Sequence, residues 1–393
     1  MGAKPFDLLE AGNRLEILRR ERMLERRMLD GVLTATMPVE GAELGDVIRL
    51  AYSTTMRDHA LGDQVQWQTQ LPAKPIPLAS GSVSISWPEG LPVSRVKHGE
   101  ADVEDLVVRN GYQIWSAKLP VEKSTDVPSD APMRYFLGEL LQVSTYADWN
   151  TVSRLMSPHY GVENSVEPGG ALAGEIENIA AQRDDALTRA ALALQLVQDR
   201  VSYLLNGLNG GNYLPQAPEE TWAKRFGDCK AKSVLLLAML RELGIEGEIV
   251  LVRTIGGDAL PMLAPMPANF DHMIVRAQID GKEYWLDGTA GGTRLANIDE
   301  VPRFHYALPL RMEGSDLIAL SERAQSTPDR ILRVSFDHSA GIRLPAMVDV
   351  EIAYLGQMGA PWQTISRQND DSAWEEIARG VVSELIGDMA DRS

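Results

Sequence analysis

One stretch of the sequence carries most of its chemistry: Phe226-Gly227-Asp228-Cys229-Lys230-Ala231-Lys232-Ser233. Asp228 is a favourable N-cap, and an apolar helical run begins directly behind it, so Cys229 is predicted to lie in the first turn of a helix. The unpaired N–H groups and the helix dipole at that position favour a thiolate, and the same N–H groups can receive an oxyanion. Lys230 and Lys232 add to the local positive potential.

Cys229 is the single cysteine of the chain. One thiol excludes an intramolecular disulfide and every zinc site that needs several cysteines. Because free cysteine is among the most buried residue types, a structural role as a small buried side chain is the alternative to a reactive one. A metal site made of Cys229 and His272 would have only two ligands far apart in sequence, and we predict neither a metal nor a cofactor.

A partner for the thiol is predicted from a hairpin. Asp280-Gly281 is a strong two-residue turn signal between two strand-like runs, and it makes Ile279 face Lys282. The same register places Asp287 diagonally across from His272 on one face, with about 7–8 Å between their backbones, a distance that an imidazole–carboxylate hydrogen bond can span. Cys229 as nucleophile, His272 as base and Asp287 as the residue that orients the base form a predicted catalytic triad.

The remaining histidines lack an acid at strand spacing or lie in polar or turn-like surroundings, and we assign them no role: His59, His98, His159, His305 and His338. Asp271 is adjacent to His272 and is predicted to point to the opposite face of the strand. It is therefore excluded as the orienting carboxylate. Tyr213 and Trp222 are expected near the cleft, as packing aromatics rather than as substrate contacts.

The composition limits the class of protein. The chain has 393 residues, a net charge of −17 and 44% hydrophobic residues, which indicates a soluble globular protein of two or three domains. The acidic excess is spread along the chain and argues against a nucleic-acid partner, which would require a basic patch. The longest apolar stretch, residues 233–240, is far shorter than the ~20 residues of a membrane span. Residues 1–13 do not form a secretory signal.

The N-terminal part reads as mostly β-structure. Strands are predicted over 15–27, 32–37, 46–55, 81–87 and 111–119, separated by turn residues such as Asp30-Gly31. The composition of 15–27 also favours a helix, and we predict a strand because the segment leads directly into that turn. Residues 120–132 are proline-rich and indicate a loop, and a short helix over 146–157 leads into the next unit. We predict a β-rich, sandwich-like domain over 1–165.

The hydrophobic period changes from residue 171 onward. Helices are predicted over 171–182, 185–205 and 229–243, with a glycine-rich break at 206–211, followed by strands over 247–254, 272–279 and 283–287. Residues 259–268 are predicted as a loop. The tail returns to β-structure over 331–355 and ends in a helix over 371–386. The predicted fold is therefore α+β and multidomain, with an α+β core over 166–312. Residues 313–393 are expected to form a short, truncated C-terminal β extension with a final helix.

These motifs resemble a known family. Gly227-Asp228-Cys229-Lys230, Phe270-Asp271-His272 and Tyr284-Trp285-Leu286-Asp287-Gly288-Thr289 look like the transglutaminase-like core of the papain-like cysteine enzymes. The resemblance covers about residues 171–310, and the segment 203–218 is similar to the one that precedes the nucleophile in bacterial members. Ala231 departs from the family, because many members have aspartate there.

The N-terminal region resembles a second family. Gly45-Asp46-Val47-Ile48 and the segment 142–149 look like DUF3857, an uncharacterised domain that often precedes such cores. In that family the domain usually begins further upstream, behind an export signal. The resemblance therefore implies an exported or periplasmic protein of which this chain is a trimmed fragment.

The expected reaction is thiol attack on a peptide or protein amide, giving a thioester that is then released. Release to water would make the chain a peptidase or amidase, and release to an amine would make it a transglutaminase. We expect hydrolysis, because a transferase requires a site that excludes water. The alternative from another class is a binding or scaffold module that keeps the fold without turnover.

Overall fold

The structure of the chain is a computed structural model. It describes residues 7–10, 12–19, 33–204, 212–324, 328–341, 343–356, 358–359, 362 and 371–386. The predicted turn at 30–31, the second half of the predicted strand at 15–27 and the glycine-rich break at 206–211 lie outside these residues.

The N-terminal region is built from eight described strands. A hairpin of β1 and β2 is followed by two three-stranded antiparallel sheets with the strand orders β3-β8-β5 and β4-β7-β6. Side chains from both three-stranded sheets, including Trp87, Trp115 and Leu141, share one buried apolar cluster, so the sheets pack face to face as in a sandwich. The strands are β1 (Glu16–Arg19), β2 (Leu33–Thr36), β3 (Gln66–Gln70), β4 (Gly81–Pro88), β5 (Ser94–Lys97), β6 (Val107–Arg109), β7 (Tyr112–Leu119) and β8 (Leu140–Ser144).

In the described residues of the second part, five α-helices accompany a five-stranded antiparallel sheet. The sheet has the order β13-β12-β11-β14-β15. One helix, α5, packs on it and is buried along its first twelve residues, so it is the centre of the core rather than an amphipathic surface helix. The elements are α1 (Trp149–Met156), α2 (Ala171–Gln182), α3 (Ala186–Arg200), β9 (Ser202–Tyr203), α4 (Pro218–Lys224), β10 (Phe226–Gly227), α5 (Cys229–Glu242), β11 (Glu246–Val252), β12 (His272–Ile279), β13 (Lys282–Leu286), β14 (Tyr306–Pro309) and β15 (Ile318–Ala319).

Strand β8 joins the two parts. Its five residues are all buried, with Leu140 in the core of the second part and Leu141 in that of the N-terminal sandwich. The Gln142 amide donates to Asn269 Oδ1 at 2.7 Å and accepts from the Ala264 N–H at 2.9 Å. A buried amide must find such partners, so these bonds fix how the strand lies against the core.

The C-terminal part contains a hairpin and a helix. Strands β16 (Arg330–Asp337) and β17 (Met347–Tyr354) pair with each other over their full length and form a separate two-stranded sheet. The final helix α6 (Asp371–Ile386) has the bounds that the sequence predicts. Trp362 stacks between Tyr354 of the hairpin and Trp374 of the helix, which holds the two elements together.

Several sequence predictions of elements are wrong. Residues 46–55 form no strand, because no neighbouring strand pairs with them and Val47 and Ile48 stay exposed. The helix predicted to reach 205 ends at Arg200, since the next residues pair as a strand with β10. The loop at 259–268 contains parts of two short 3-10 helices, Gly257–Met262 and Pro267–Asn269. The sequence does not predict helix α4 or strands β3, β5, β6, β8, β9, β10, β14 and β15.

The predicted fold class is confirmed: the molecule is α+β, with a β-rich N-terminal region and a final helix. The domain boundaries at 165 and 312 stay a prediction. The site lies where α5 begins, at the edge formed by the start of β12 and the end of β13.

Candidate active site

Cys229 is the first residue of α5, as the sequence predicts. The Asp228 carboxylate caps the helix by accepting from the Ala231 N–H at 3.0 Å. The thiol is nearly covered, with 1% of the residue exposed. Since the first N–H groups of a helix have no intrahelical acceptor, the Cys229 N–H is placed to donate to a group that approaches the sulfur.

Gly227 is required by the close approach of two helices. A Cβ at this position would lie 2.7 Å from the Ala231 Cβ and 3.2 Å from the Thr221 Cγ2. Strand β10, which contains Gly227, pairs in parallel with β9, so that Tyr203 lies opposite Gly227. The missing side chain therefore lets α4, α5 and β9 converge just before the nucleophile.

The hairpin brings His272 and Asp287 together. The predicted register is confirmed, since Ile279 pairs with Lys282 and the ladder continues to Val275 and Leu286. His272 Nε2 lies 2.8 Å from Asp287 Oδ2. The Cys229 thiol is within hydrogen-bonding reach of the same imidazole. Because Nε2 is occupied by the carboxylate, Nδ1 is the ring nitrogen left for the thiol.

The Asp287 carboxylate is held on its other side as well. Its Oδ1 accepts from the Thr289 N–H at 2.8 Å and from Thr289 Oγ1 at 2.7 Å. The Gln198 amide of α3 donates to the Asp287 carbonyl at 2.8 Å and to Thr293 Oγ1 at 2.9 Å. These bonds fix the carboxylate in one orientation, the arrangement that a base-orienting residue requires.

His272 and Asp287 each favour the charged form of the other. Burial is the largest single influence on His272 and disfavours its charge, but the Asp287 charge and the hydrogen bonds to Asp287 and Cys229 outweigh it and raise its pKa to about 10. Burial likewise opposes ionisation of Asp287, yet His272 and the Thr289 donors lower the pKa of this carboxyl. At neutral pH the two are therefore an imidazolium and a carboxylate.

Sequence analysis missed two neighbours of the site. Phe304 packs edge-on against the His272 ring with centroids 5.9 Å apart. Tyr203 is half-exposed, and burial followed by the negative charges of Cys229 and Asp228 raises the pKa of its phenol. A short parallel strand of two residues gives no periodic signal, so Tyr203 could not be placed beside Gly227 from the sequence.

Tyr213 and Trp222 are buried packing residues, as predicted. The Tyr213 hydroxyl accepts from the Gln66 amide at 2.7 Å, and its carbonyl accepts from the Tyr160 hydroxyl at 2.5 Å. The Trp222 ring is covered by the Arg225 guanidinium at 3.5 Å from its centroid. The Tyr213–Gln66 hydrogen bond therefore links the N-terminal region to the core, whereas Trp222 packs within the core.

Asp271, His98 and His159 bond groups outside the His272–Asp287 pair. Asp271 accepts from the Thr254 N–H and hydroxyl at 2.8 Å each, on the opposite face from the His272 ring. His159 Nε2 lies 2.9 Å from the Ala60 carbonyl, and His98 bonds the Met262 backbone. These two contacts join the N-terminal region to the core.

A cavity of about 600 Å³ adjoins the carboxylate of the pair. Its wall contains Asp287 and Phe304 together with several charged side chains, so its lining is polar rather than apolar. The charged members of the lining are Asp287, Asp299, Glu300, Arg303, Glu322, Arg323 and Asp329.

Comparison with known proteins gives one family match. The family model DUF3857, a domain of unknown function with a solved structure, matches residues 10–120. The predicted N-terminal resemblance is thereby confirmed. No protein with a curated description matches the chain.

Three solved structures are similar in part. A proposed protease from Parabacteroides distasonis ATCC 8503 is 17% identical with a TM-score of 0.49, covering 66% of this chain and 48% of its own. A proposed cysteine protease from Cytophaga hutchinsonii is 12% identical with a TM-score of 0.28, covering 74% and 88%. A TGase is 15% identical with a TM-score of 0.23, covering 43% and 44%. This chain therefore spans about half the length of the Parabacteroides protein.

Two features are absent from the part of the chain that the structure describes: a membrane-spanning helix and a metal-binding cluster. Within the described residues, no helix has the length and apolarity to cross a bilayer. The same residues contain no group of three or more histidine, cysteine, aspartate or glutamate side chains arranged to hold a metal ion.

Proposed function

We propose that the chain is a thiol-dependent acyl-transfer enzyme acting on peptide or protein amides through Cys229, His272 and Asp287. One observation supports the proposal: the thiol at the N-terminus of α5 is within hydrogen-bonding reach of the His272 imidazole, whose Nε2 is bound by the buried Asp287 carboxylate. A nucleophile, a base and an orienting acid in this order are the set that acyl transfer requires.

The chemistry follows from these contacts. The thiolate attacks the amide carbon, and the Cys229 N–H donates to the oxyanion. As the C–N bond breaks, the His272 imidazolium gives its proton to the leaving amine, and a thioester remains on the sulfur. In the second half, His272 accepts a proton from the attacking water, the C–S bond breaks and the carboxylic acid is released with the thiolate restored.

Hydrolysis is the outcome that the surroundings favour. The charged cavity beside Asp287 brings water close to the pair, whereas transfer to an amine needs the thioester to be kept dry. If an added primary amine captured most of the acyl group in place of water, the chain would be a transglutaminase on the same site.

The proposal is tested by alkylating Cys229 with iodoacetamide across pH in the wild type, in His272→Ala and in Asp271→Asn. We expect rapid alkylation well below pH ~8.5, the value for a free thiol, in the wild type and in Asp271→Asn but not in His272→Ala. Asp271 is the matched control, because it neighbours His272 in sequence and bonds Thr254 instead. A profile typical of a free thiol that His272→Ala leaves unchanged would favour the binding-module alternative.

A further inference from the structure

Lys232 is a buried lysine on the helix of the nucleophile. Only 2% of the residue is exposed, and its Nζ donates to the Val201 carbonyl at 2.5 Å. Lys232 packs against the segment that contains Asp287. A Cβ added to Gly288, the residue after Asp287, would lie 3.5 Å from the Lys232 Cβ. Burying an ammonium group is costly, and a fold that does so usually gains something from its charge.

Lys230, two residues away, has its charge compensated locally. Its Nζ lies 2.5 Å from Asp228 Oδ2, and both side chains are covered. Lys232 has no carboxylate within ion-pair distance among the described residues, and its hydrogen-bond acceptor is neutral. Of these two lysines, Lys232 is therefore the one whose charge no neighbouring carboxylate neutralises, and this charge can act on the proposed active site.

Two carboxylates act on the Lys232 ammonium. Burial is the largest influence and lowers the pKa of Lys232 to about 8 against the negative charges of Asp287 and Asp199, so that it is mostly charged at pH 7. Asp199, on α3, is half-exposed and lies 3.7 Å from Arg294. Asp287 and Cys229 act in turn on His272 of β12 and on Tyr203 of β9, and Asp228, which pairs with Lys230, also acts on Tyr203.

We propose that Lys232 is a positioning residue that keeps Cys229 in its thiolate form by balancing the charge of the buried site. With the ammonium present, a thiolate, an imidazolium and a carboxylate leave the site neutral overall. Without it, the site is neutral only when the sulfur carries a proton. The inference rests on the proposed function, since it assigns a role toward the same thiol.

The test compares the pH dependence of Cys229 alkylation by iodoacetamide in wild type, Lys232→Met and Lys232→Gln. Glutamine removes the charge and keeps an N–H donor on a side chain that is one atom shorter, whereas methionine removes both the charge and the donor. Removing a buried positive charge beside the site shifts a titration by about one pH unit, so we expect the rise of the alkylation rate to move up by about one unit. The rate should be about tenfold lower below the wild-type midpoint and equal to the wild-type rate above pH ~9. Structural damage would instead lower the rate at every pH.

Two controls separate the possible failures. Lys224→Met removes an exposed lysine paired with Glu220 and should leave the profile unchanged. Lys232→Arg keeps the charge and should retain the wild-type profile in whatever fraction folds. Wild-type profiles in both neutral Lys232 variants, or a shift in Lys232→Arg equal to theirs, would overturn the role of Lys232. A wild-type enzyme that already alkylates like a free thiol would overturn the proposed function instead.

Discussion

Replacing Asp287 by asparagine removes one charge from the proposed active site and keeps its shape. The amide oxygen can still accept from the Thr289 N–H and hydroxyl. The amide nitrogen then faces His272 Nε2 and, being a donor, forces that nitrogen to be an acceptor. The proton moves to Nδ1 and the imidazole becomes neutral, which is the wrong tautomer for accepting a proton from the thiol.

The size of the effect follows from the His272 pKa. The pKa lies at about 10 against an ordinary 6.5, a difference of about 3.5 units or about 5 kcal/mol in favour of the imidazolium. Asp287 is the largest favourable influence, and burial opposes it. Without the carboxylate we expect a pKa of ~6.5 or lower, so the ratio of imidazolium to imidazole at pH 7 falls from about 1000:1 to about 1:3.

We therefore expect amide hydrolysis at pH 7 to fall by about a thousandfold in Asp287→Asn, with rapid alkylation of Cys229 lost below pH ~8. Asp271→Asn is the matched control and should behave as the wild type. Circular dichroism would verify that both variants fold. If folded Asp287→Asn kept the wild-type rate and alkylation profile, Asp287 would not orient His272 and the reasoning would be refuted.

Three further predictions follow from the same contacts. Because the folded-state pKa of His272 is raised, the stability that its protonation contributes to the fold is complete below pH ~6.5 and is lost as the pH rises through about 10. Urea titrations should therefore show that the free energy of unfolding falls less between pH 7 and pH 9 in His272→Gln than in the wild type. Gly227→Ala should cost about 1–3 kcal/mol, since its methyl would meet Ala231 at 2.7 Å, and an unchanged melting temperature would contradict the crowding. Gln142→Leu leaves Asn269 Oδ1 and the buried Ala264 N–H without these partners, and it should lower the free energy of unfolding in urea by about 2–4 kcal/mol. An unchanged free energy of unfolding would mean that water replaces the amide.

The predictable part of the site rests on strong local signals. Asp280-Gly281 fixes the hairpin turn, and once the turn is fixed every cross-strand pair follows by counting, which is why the His272–Asp287 contact could be expected. Asp228 likewise determines where α5 begins, because its side chain is the cap.

The unpredicted part depends on contacts between distant segments. Residues 46–55 have the composition of a strand but find no partner, while β8 contains Gln142 and Ser144 and is buried because the core satisfies their polar groups. Lys232 reads as a surface residue, and only the Val201 carbonyl and the fold around it make its burial tolerable.

Acylation of Cys229 is the measurement that bears most directly on the proposed function. The wild-type protein would be mixed with p-nitrophenyl acetate, quenched in acid within seconds and examined by intact and peptide mass spectrometry, beside Cys229→Ala and His272→Ala. The proposal predicts one acetyl group on Cys229 in the wild type, none in Cys229→Ala, a slow appearance in His272→Ala, and loss of the label by hydrolysis when the quench is delayed. An unlabelled wild-type thiol, or labelling that is as fast in His272→Ala, would contradict it.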